Sequence, residues 1–330
     1  MTASPARFGL TLPQRGVFFG ITTMDGMMAM AAQADANPLF GSVWVGDSLF
    51  AKPRPDSLTL LGGLATATRR LALGVGCMAS FPVRDPIVFA YQWATLDLLS
   101  QGRMLLAACT GIVAGGASAR EGAIWGVADR ERSERLVENI EICRRLWSED
   151  GVTFKGKFHS FEGVTVQPRP VQRPCPIWIA SNPSPAALKP AMLDRALQRV
   201  ARLADGWMTV QLFPGALKAN WTRIAASLRQ EGRDPAAFPT MAYHNVNLNP
   251  DRQAALAETK RFLDEYYGPV FSPAMVESWT AAGTPDQCVE HLRALMRDGA
   301  RTITLRITSW QQEEQFKRLV GEVLPRVAAA

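Results

Sequence analysis

Residues 70–111 read RLALGVGCMASFPVRDPIVFAYQWATLDLLSQGRMLLAACTG. Leu71 to Met78 is a short apolar run dense in Leu, Val and Gly, the composition of a strand buried on both faces rather than half-wet. Asp85 and Pro86 make a helix start, with a side-chain acceptor at the N-cap and a preset backbone angle at the first helical position. That helix is expected to reach about Ser100, and Gly102 ends it. Met104 to Cys109 is a second apolar run, opening onto Thr110 and Gly111. Strand, helix, strand is the mark of parallel pairing.

The same alternation continues outward in both directions. Arg7 to Leu12 reads as a strand stopped by Pro13, Met24 to Ala36 as a helix, Ser42 to Gly46 as a second strand, and Asp56 to Arg69 as the helix leading into the opening stretch. Beyond Gly111, IVAGGASAREGAIWG is rich in glycine and alanine and is expected to be a mobile loop. A helix from about Asp129 to Trp147 carries Leu136, Ile140, Cys143 and Trp147 on one face. A hairpin turning at Lys155-Gly156-Lys157 follows, then a proline-rich approach to a fifth strand at Ile177 to Ala180. Trp207 to Val210, Met241 to Leu248 and Arg301 to Ile307 read as strands six to eight, with helices between, and Gly268 to Ala282 as a lid. Eight strands alternating with helices predict an α/β fold, a (β/α)8 TIM barrel with insertions after strands 4 and 7. With no repeat or linker to divide it, residues 1–330 are expected to form a single domain.

The chain has 47% hydrophobic and 20% charged residues, ordinary for a soluble protein. Its N-terminus lacks signal-peptide features and no apolar run approaches membrane-spanning length, so a cytoplasmic protein without a membrane partner is expected. The net charge is +6, yet the basic residues sit in mixed-sign segments such as Asp129 to Arg135, read as a solvated helix face, so no nucleic-acid partner is expected. Five cysteines stand far apart without a C-x-x-C pair, which disfavours a disulfide framework and a metal site.

Gly74-Val-Gly76-Cys-Met-Ala79 matches the dinucleotide fingerprint on paper, but Phe81 to Arg84 separate it from the helix that would meet the pyrophosphate. Its small residues instead read as room for a planar ligand against the backbone. In a barrel the chemistry sits at the C-terminal strand ends. Those ends carry Pro13 and Gln14, Asp47 and Ser48, Met78 to Ser80, Thr110 and Gly111, Ser181 and Asn182, Gln211, Asn247, and Arg306 with Thr308. They offer no Ser-His-Asp arrangement, and such a rim suits a cofactor that does the hard chemistry itself. Asp47 reads as the one rim carboxylate, or as a cap or a partner for a neighbouring Arg. Arg306 reads as a holder of an anionic substrate or as the partner of Asp47. His244, inside the seventh strand, reads as either a core or a catalytic histidine.

These segments resemble the bacterial luciferase-like flavin-dependent oxidoreductases. The resemblance lies in Ala94-Thr-Leu-Asp97-Leu-Leu-Ser100-Gln-Gly-Arg103, the strand ending at Thr110-Gly111, Gly9 to Pro13, Ser42 to Asp47, Phe154 to His159, Pro168 to Ala180, Ala204 to Trp207 and Gly283 to Asp286. It implies a (β/α)8 barrel, usually a homodimer, that binds reduced FMN or the deazaflavin coenzyme F-420. By position it puts the ring against Gly76, Cys77, Met78 and Ala79, over a non-proline cis bond expected at Cys77–Met78. It puts the phosphate near Thr110, Gly111, Ser181 and Asn182. Two departures stand out. Ser48 occupies a position where many members carry histidine, and Thr110 one where some carry arginine.

The leading expectation is a flavin-dependent monooxygenase. Reduced FMN would come from a partner reductase, and O2 would oxygenate a small organic substrate held by Asp47, Ser48, His244 and Arg306. The alternatives are a coenzyme F-420-dependent hydride-transfer oxidoreductase, which the missing histidine weakens, and a non-catalytic flavin-binding protein.

Overall fold

The computed structural model describes residues 8–111, 116–184 and 188–329. Its strands are β1 (Phe8–Thr11), β2 (Phe40–Val45), β3 (Ala72–Met78), β4 (Met104–Ala108), β5 (Val152–Lys155), β6 (Ser160–Val164), β7 (Ile177–Ala180), β8 (Gly206–Thr209), β9 (Thr240–Leu248), β10 (Thr280–Gly283) and β11 (Thr302–Ile307). Eight of them pair in parallel in the order β1, β2, β3, β4, β7, β8, β9, β11, and β11 returns to β1, which closes a (β/α)8 TIM barrel. The antiparallel hairpin β5–β6 stands apart and turns at the expected Lys155-Gly156-Lys157.

The helices are α1 (Met24–Ala36), α2 (Ser57–Ala67), α3 (Pro86–Leu99), α4 (Ala117–Ile124), α5 (Arg132–Ser148), α6 (Pro190–Leu203), α7 (Ala216–Gln230), α8 (Arg252–Tyr267), α9 (Pro273–Ser278), α10 (Pro285–Arg297), α11 (Gln312–Arg318) and α12 (Leu324–Ala328). Local chemistry sets several starts. The Asp85 carboxylate accepts from Ile87 and Val88 N–H at the head of α3, and Thr284 with Gln287 makes a reciprocal capping box on α10. The insertions fall where expected, with α4, α5 and the hairpin after β4, and α8, α9, β10 and α10 after β9. No helix among the described residues is long and apolar enough to cross a membrane.

Each strand serves two interiors. Val43, Val45, Leu73, Val75, Ile177, Ile179, Ile303 and Leu305 belong to the large core between strands and helices. Their strand neighbours Trp44, Trp178 and Met208 belong to a second cluster inside the barrel. There the Trp44 and Trp178 rings lie 6.2 Å apart. A Cβ on Gly74 would overlap the Trp44 ring, and one on Gly206 the Trp178 ring. A Cβ on Gly76 would crowd Trp44 and Met208 at 3.0 and 3.1 Å. The glycines of β3 therefore give room to interior side chains. This corrects the expectation that Gly76 is clearance for a cofactor ring.

Two segments depart from the sequence reading. Of the expected mobile loop, 112–115 lies outside the described residues, as does 1–7 at the N-terminus, whereas Ala117–Ile124 is helix α4. The expected lid is partly wall. Thr280–Gly283 forms β10, which pairs with Asn245 to Leu248 of β9, while β8 pairs with Thr240 to Ala242 on the same edge. Small residues let β10 add to the sheet, and Phe271, Val276 and Trp279 are buried beneath the segment.

Candidate active site

The end of β3 carries a non-proline cis bond at Gly76–Cys77, one residue before the expected Cys77–Met78. Gly76 stands opposite Ala107 and Met78 opposite Ala108, so Cys77 is an extra residue in the ladder. The bulge keeps Cys77 against the barrel interior and returns Met78 to the outer core, where it is fully buried. Met78 thus lines no site, contrary to expectation. Cys77 Sγ lies 2.6 Å from Cys109 Sγ, and both are free thiols. That contact joins two of the cysteines read as far apart, and the hydrogen bond with Cys77, together with burial, pushes the Cys109 thiol up.

Thr110 and Gly111 follow β4, and Ser181 and Asn182 follow its neighbour β7; the first three are partly exposed and Asn182 is exposed. Behind them lies Arg132 of α5, only 1% exposed. Its Nε donates to Thr110 O (2.5 Å) and its Nη2 to Ala79 O (2.6 Å), while buried Nη1 has no partner among the described residues. Gly111 has φ 82°, and a Cβ there would press on Arg132 Nη2 and Ser118 Oγ, each at 3.1 Å. Hydroxyl, amide and backbone N–H groups at two adjoining strand ends, with a buried cation braced on the Thr110 and Ala79 carbonyls behind the first, fit the phosphate of a flavin-type cofactor.

Arg306 projects into the barrel from β11, opposite Asn245 of β9. Its Nε and Nη2 donate to Asn245 Oδ1 at 3.0 and 2.8 Å, and its Nη1 to Tyr267 Oη at 2.7 Å. Tyr243, Tyr266, Tyr267 and Trp279 surround the guanidinium, with ring centroids 5.0–5.1 Å from its carbon. Burial works against its charge, but these phenols outweigh burial and push its pKa up. Above this box the segment after β2 brings Lys52 to 4.7 Å from the Tyr267 centroid and Arg54 to 5.8 Å from that of Tyr266; Arg15 stands 5.2 Å from Tyr266. Burial and the neighbouring cations push Lys52 down. Among the described residues none of these four cations pairs with a carboxylate. Glu121 of α4 holds their loop in place, with one oxygen accepting from the N–H groups of Leu49, Phe50 and Ala51 at 2.8–2.9 Å.

The other expected contacts to substrate turn elsewhere. Asp47 Oδ2 accepts from Ser80 N at 2.8 Å, and Oδ1 from Ser57 Oγ at 2.6 Å and Arg84 Nη2 at 3.3 Å. Its side chain is 1% exposed, so it braces the loops after β2 and β3 and does not pair with Arg306. Ser48 Oγ donates to Lys52 O at 2.8 Å and shapes the same loop. His244 has the opposite parity to Tyr243 and Asn245, points away from the barrel interior and meets His291 of α10, Nε2 to Nε2 at 2.8 Å. It is a core histidine.

Arg132, Lys52, Arg54 and Tyr267 were not singled out by sequence. Arg132 did carry a signal, since it extends the Leu136, Ile140, Cys143 stripe by one turn and so belongs to the buried face of α5.

A family model described as luciferase-like monooxygenase matches residues 7–302. The F-420-dependent glucose-6-phosphate dehydrogenase of Nakamurella multipartita is 27% identical, with 100% of this chain and 98% of that protein covered. That of Amycolatopsis mediterranei is 26% identical over 87% and 90%. Among solved structures, an F-420-dependent secondary alcohol dehydrogenase superposes with TM-score 0.80 at 17% identity, covering 98% of this chain and 99% of that one. At that identity the likeness speaks for the fold. The curated relatives overturn the expectation of an FMN monooxygenase acting with O2, because they are named as deazaflavin-dependent dehydrogenases. A reductase partner follows only from the oxygenase reading.

Proposed function

Because the chain belongs to the luciferase-like monooxygenase family, we propose that this oxidoreductase moves a hydride between coenzyme F-420 and a small organic substrate bearing a carbinol or carbonyl carbon. The observation that carries the reading is likeness along the whole chain to F-420-dependent dehydrogenases. The mouth supports it, for the strand ends offer hydroxyl, amide and backbone N–H donors to a flavin-type group. Thr110, Gly111, Ser181, Asn182 and Arg132 would hold its phosphate, and Cys77 and Ala79 its ring. When bound, the deazaflavin supplies a hydride acceptor or donor.

The chain's own groups do the rest. Arg15, Lys52, Arg54 and Arg306 set up a positive field over the mouth, which favours a substrate carrying phosphate or carboxylate. The aromatic box of Tyr243, Tyr266, Tyr267 and Trp279 excludes water from the side of Arg306 and strengthens that field. The protein works as a homodimer. Val88, Tyr91, Leu98 and Leu99, each about half exposed on one face of α3, are the apolar surface offered to the second copy.

Titration of the purified protein with coenzyme F-420 and with FMN, read by fluorescence quenching, tests the cofactor. Tighter binding of F-420, and its reduction by alcohol substrates at a rate indifferent to O2, are expected. Preferential FMN binding or an O2-dependent product would refute the reading.

A further inference from the structure

Oxidising an alcohol by hydride transfer also requires removing the hydroxyl proton, and no histidine is placed to take it. The chain has three histidines. His159 pairs with Glu138 beside the β5–β6 hairpin, and His244 and His291 meet outside the barrel interior. Ser48 stands after Asp47 and donates to a backbone carbonyl. Three nearby carboxylates are occupied, Asp47 by Ser57, Ser80 and Arg84, Glu121 by three backbone N–H groups, and Glu258 by the Asn247 amide, the Ser309 hydroxyl and the Trp310 N–H. Among the described residues around the mouth, the titratable groups left over are the Cys77–Cys109 pair, Lys52 and the tyrosines.

We infer that Tyr267, at the C-terminus of α8, is the group that takes the substrate's hydroxyl proton, and that Arg306 and Lys52 hold it ready to do so. This deepens the hydride-transfer reading above and rests on it. Arg306 Nη1 donates to the Tyr267 oxygen at 2.7 Å, and the Tyr243 hydroxyl, which burial keeps protonated, hydrogen-bonds to the same group, so two donors converge on the oxygen when it is charged. Lys52 stands 4.7 Å from the centroid of the same ring, so the phenol lies under the loop that follows the C-terminal end of β2, where barrel chemistry is sought. The charged groups that act most strongly on Tyr267 are cationic: Arg306 from β11 and Lys52 and Arg54 from the segment after β2, with Arg15 after β1 beside them. The remaining neighbours are Tyr243, Tyr266, Phe271 and Trp279. Burial alone would raise the Tyr267 pKa, but Arg306, Lys52 and Arg54 outweigh it and hold it below the usual phenol value. Burial keeps Tyr243 protonated beside it.

In the step, the carbinol C–H bond would break with its electron pair leaving as hydride, for which a bound deazaflavin would be the acceptor, and Tyr267 would take part as its ionised oxygen. The O–H bond breaks with its proton passing to the Tyr267 oxygen, and the carbon–oxygen double bond forms. Reduction of a carbonyl is the reverse, with Tyr267 giving the proton.

Ultraviolet difference titration of the protein without cofactor tests the residue, because the chain has only four tyrosines. One is expected to ionise below the usual value of about 10, a step that disappears in Tyr267→Phe and moves to higher pH in Lys52→Met. With coenzyme F-420 bound, kcat/KM for alcohol oxidation should rise with pH through that step. Tyr267→Phe should lose the rise and about 10²-fold or more in rate, with cofactor quenching unchanged. A low ionisation that persists in Tyr267→Phe, or a pH rise abolished by Lys52→Met while Tyr267 still titrates, overturns the assignment and leaves the hydride reading intact. Wild-type protein that quenches F-420 yet never reduces it defeats both.

Discussion

Replacing Asp47 by alanine separates a brace from a catalytic carboxylate. The side chain accepts from Ser80 N–H and Ser57 O–H and pairs with Arg84, all away from solvent. Each buried donor left without an acceptor costs about 1–3 kcal/mol. Arg84 keeps Asp56 at 3.5 Å and Ser80 Oγ at 2.7 Å, so its loss falls well short of the ~3–5 kcal/mol of a wholly abandoned buried charge. The expected destabilisation is therefore about 3–5 kcal/mol. Unfolding entropy of about 2.1 cal/mol/K per residue gives ~0.7 kcal/mol/K for the chain, so Tm should fall by about 4–7 °C. Asp47→Asn keeps one acceptor and should lie between. The measurement is a thermal melt by circular dichroism beside the hydride-transfer rate well below the melt, where Asp47→Ala should retain most activity. An unchanged Tm with a 10²-fold loss of rate would show that Asp47 acts in the chemistry, and the reading of it as a brace would be wrong.

The His244–His291 pair makes stability depend on pH. Burial pushes His291 down to about 4 and His244 well below its usual value. Both stay neutral when folded but bind protons when unfolded below about pH 6.5, so their contribution is complete above 6.5 and falls as pH drops toward 4. For His291 alone that is ~3 kcal/mol, read as a urea midpoint that falls between pH 7 and pH 4.5; a slope unchanged in His291→Gln would refute it. Gly74→Ala should destabilise by about 1–3 kcal/mol or more through overpacking against the Trp44 ring, and an unchanged melt would show that the ring has room to move. Light scattering should give twice the chain mass for the wild type and a monomer for Leu98→Glu; a Leu98→Glu dimer would acquit the α3 face.

Periodicity, caps and strand-end glycines made the barrel legible, because each depends on residues a few positions apart. Side-chain direction was legible too, where composition separates the two faces of a doubly buried strand. In β11, Ile303, Leu305 and Ile307 face the helices, and Thr304 and Arg306 face the interior. In β9, Ala242, Val246 and Leu248 share parity with His244, a signal that the sequence reading of that histidine left unused, with both the core and the catalytic role open. The glycines of β3 were not legible. What fills the space beside Gly74 is Trp44, on another strand, and nothing local to Gly74 tells a tryptophan from a ligand.

The site follows the same division. Its cations and its proposed base come from segments that only the closed barrel brings together: Lys52 and Arg54 after β2, Glu121 holding them from the insertion after β4, Tyr267 at the end of α8, and Arg306 within β11. No spacing rule joins positions 52, 121, 267 and 306. Asp47 and Ser48 drew the first assignment because they sit immediately after a strand, where barrel chemistry is sought. The structure occupies both with holding the loop that carries Lys52. A missing histidine after Asp47 is then no argument against hydride transfer, because the proton can leave through a phenol whose charge is balanced from three sides.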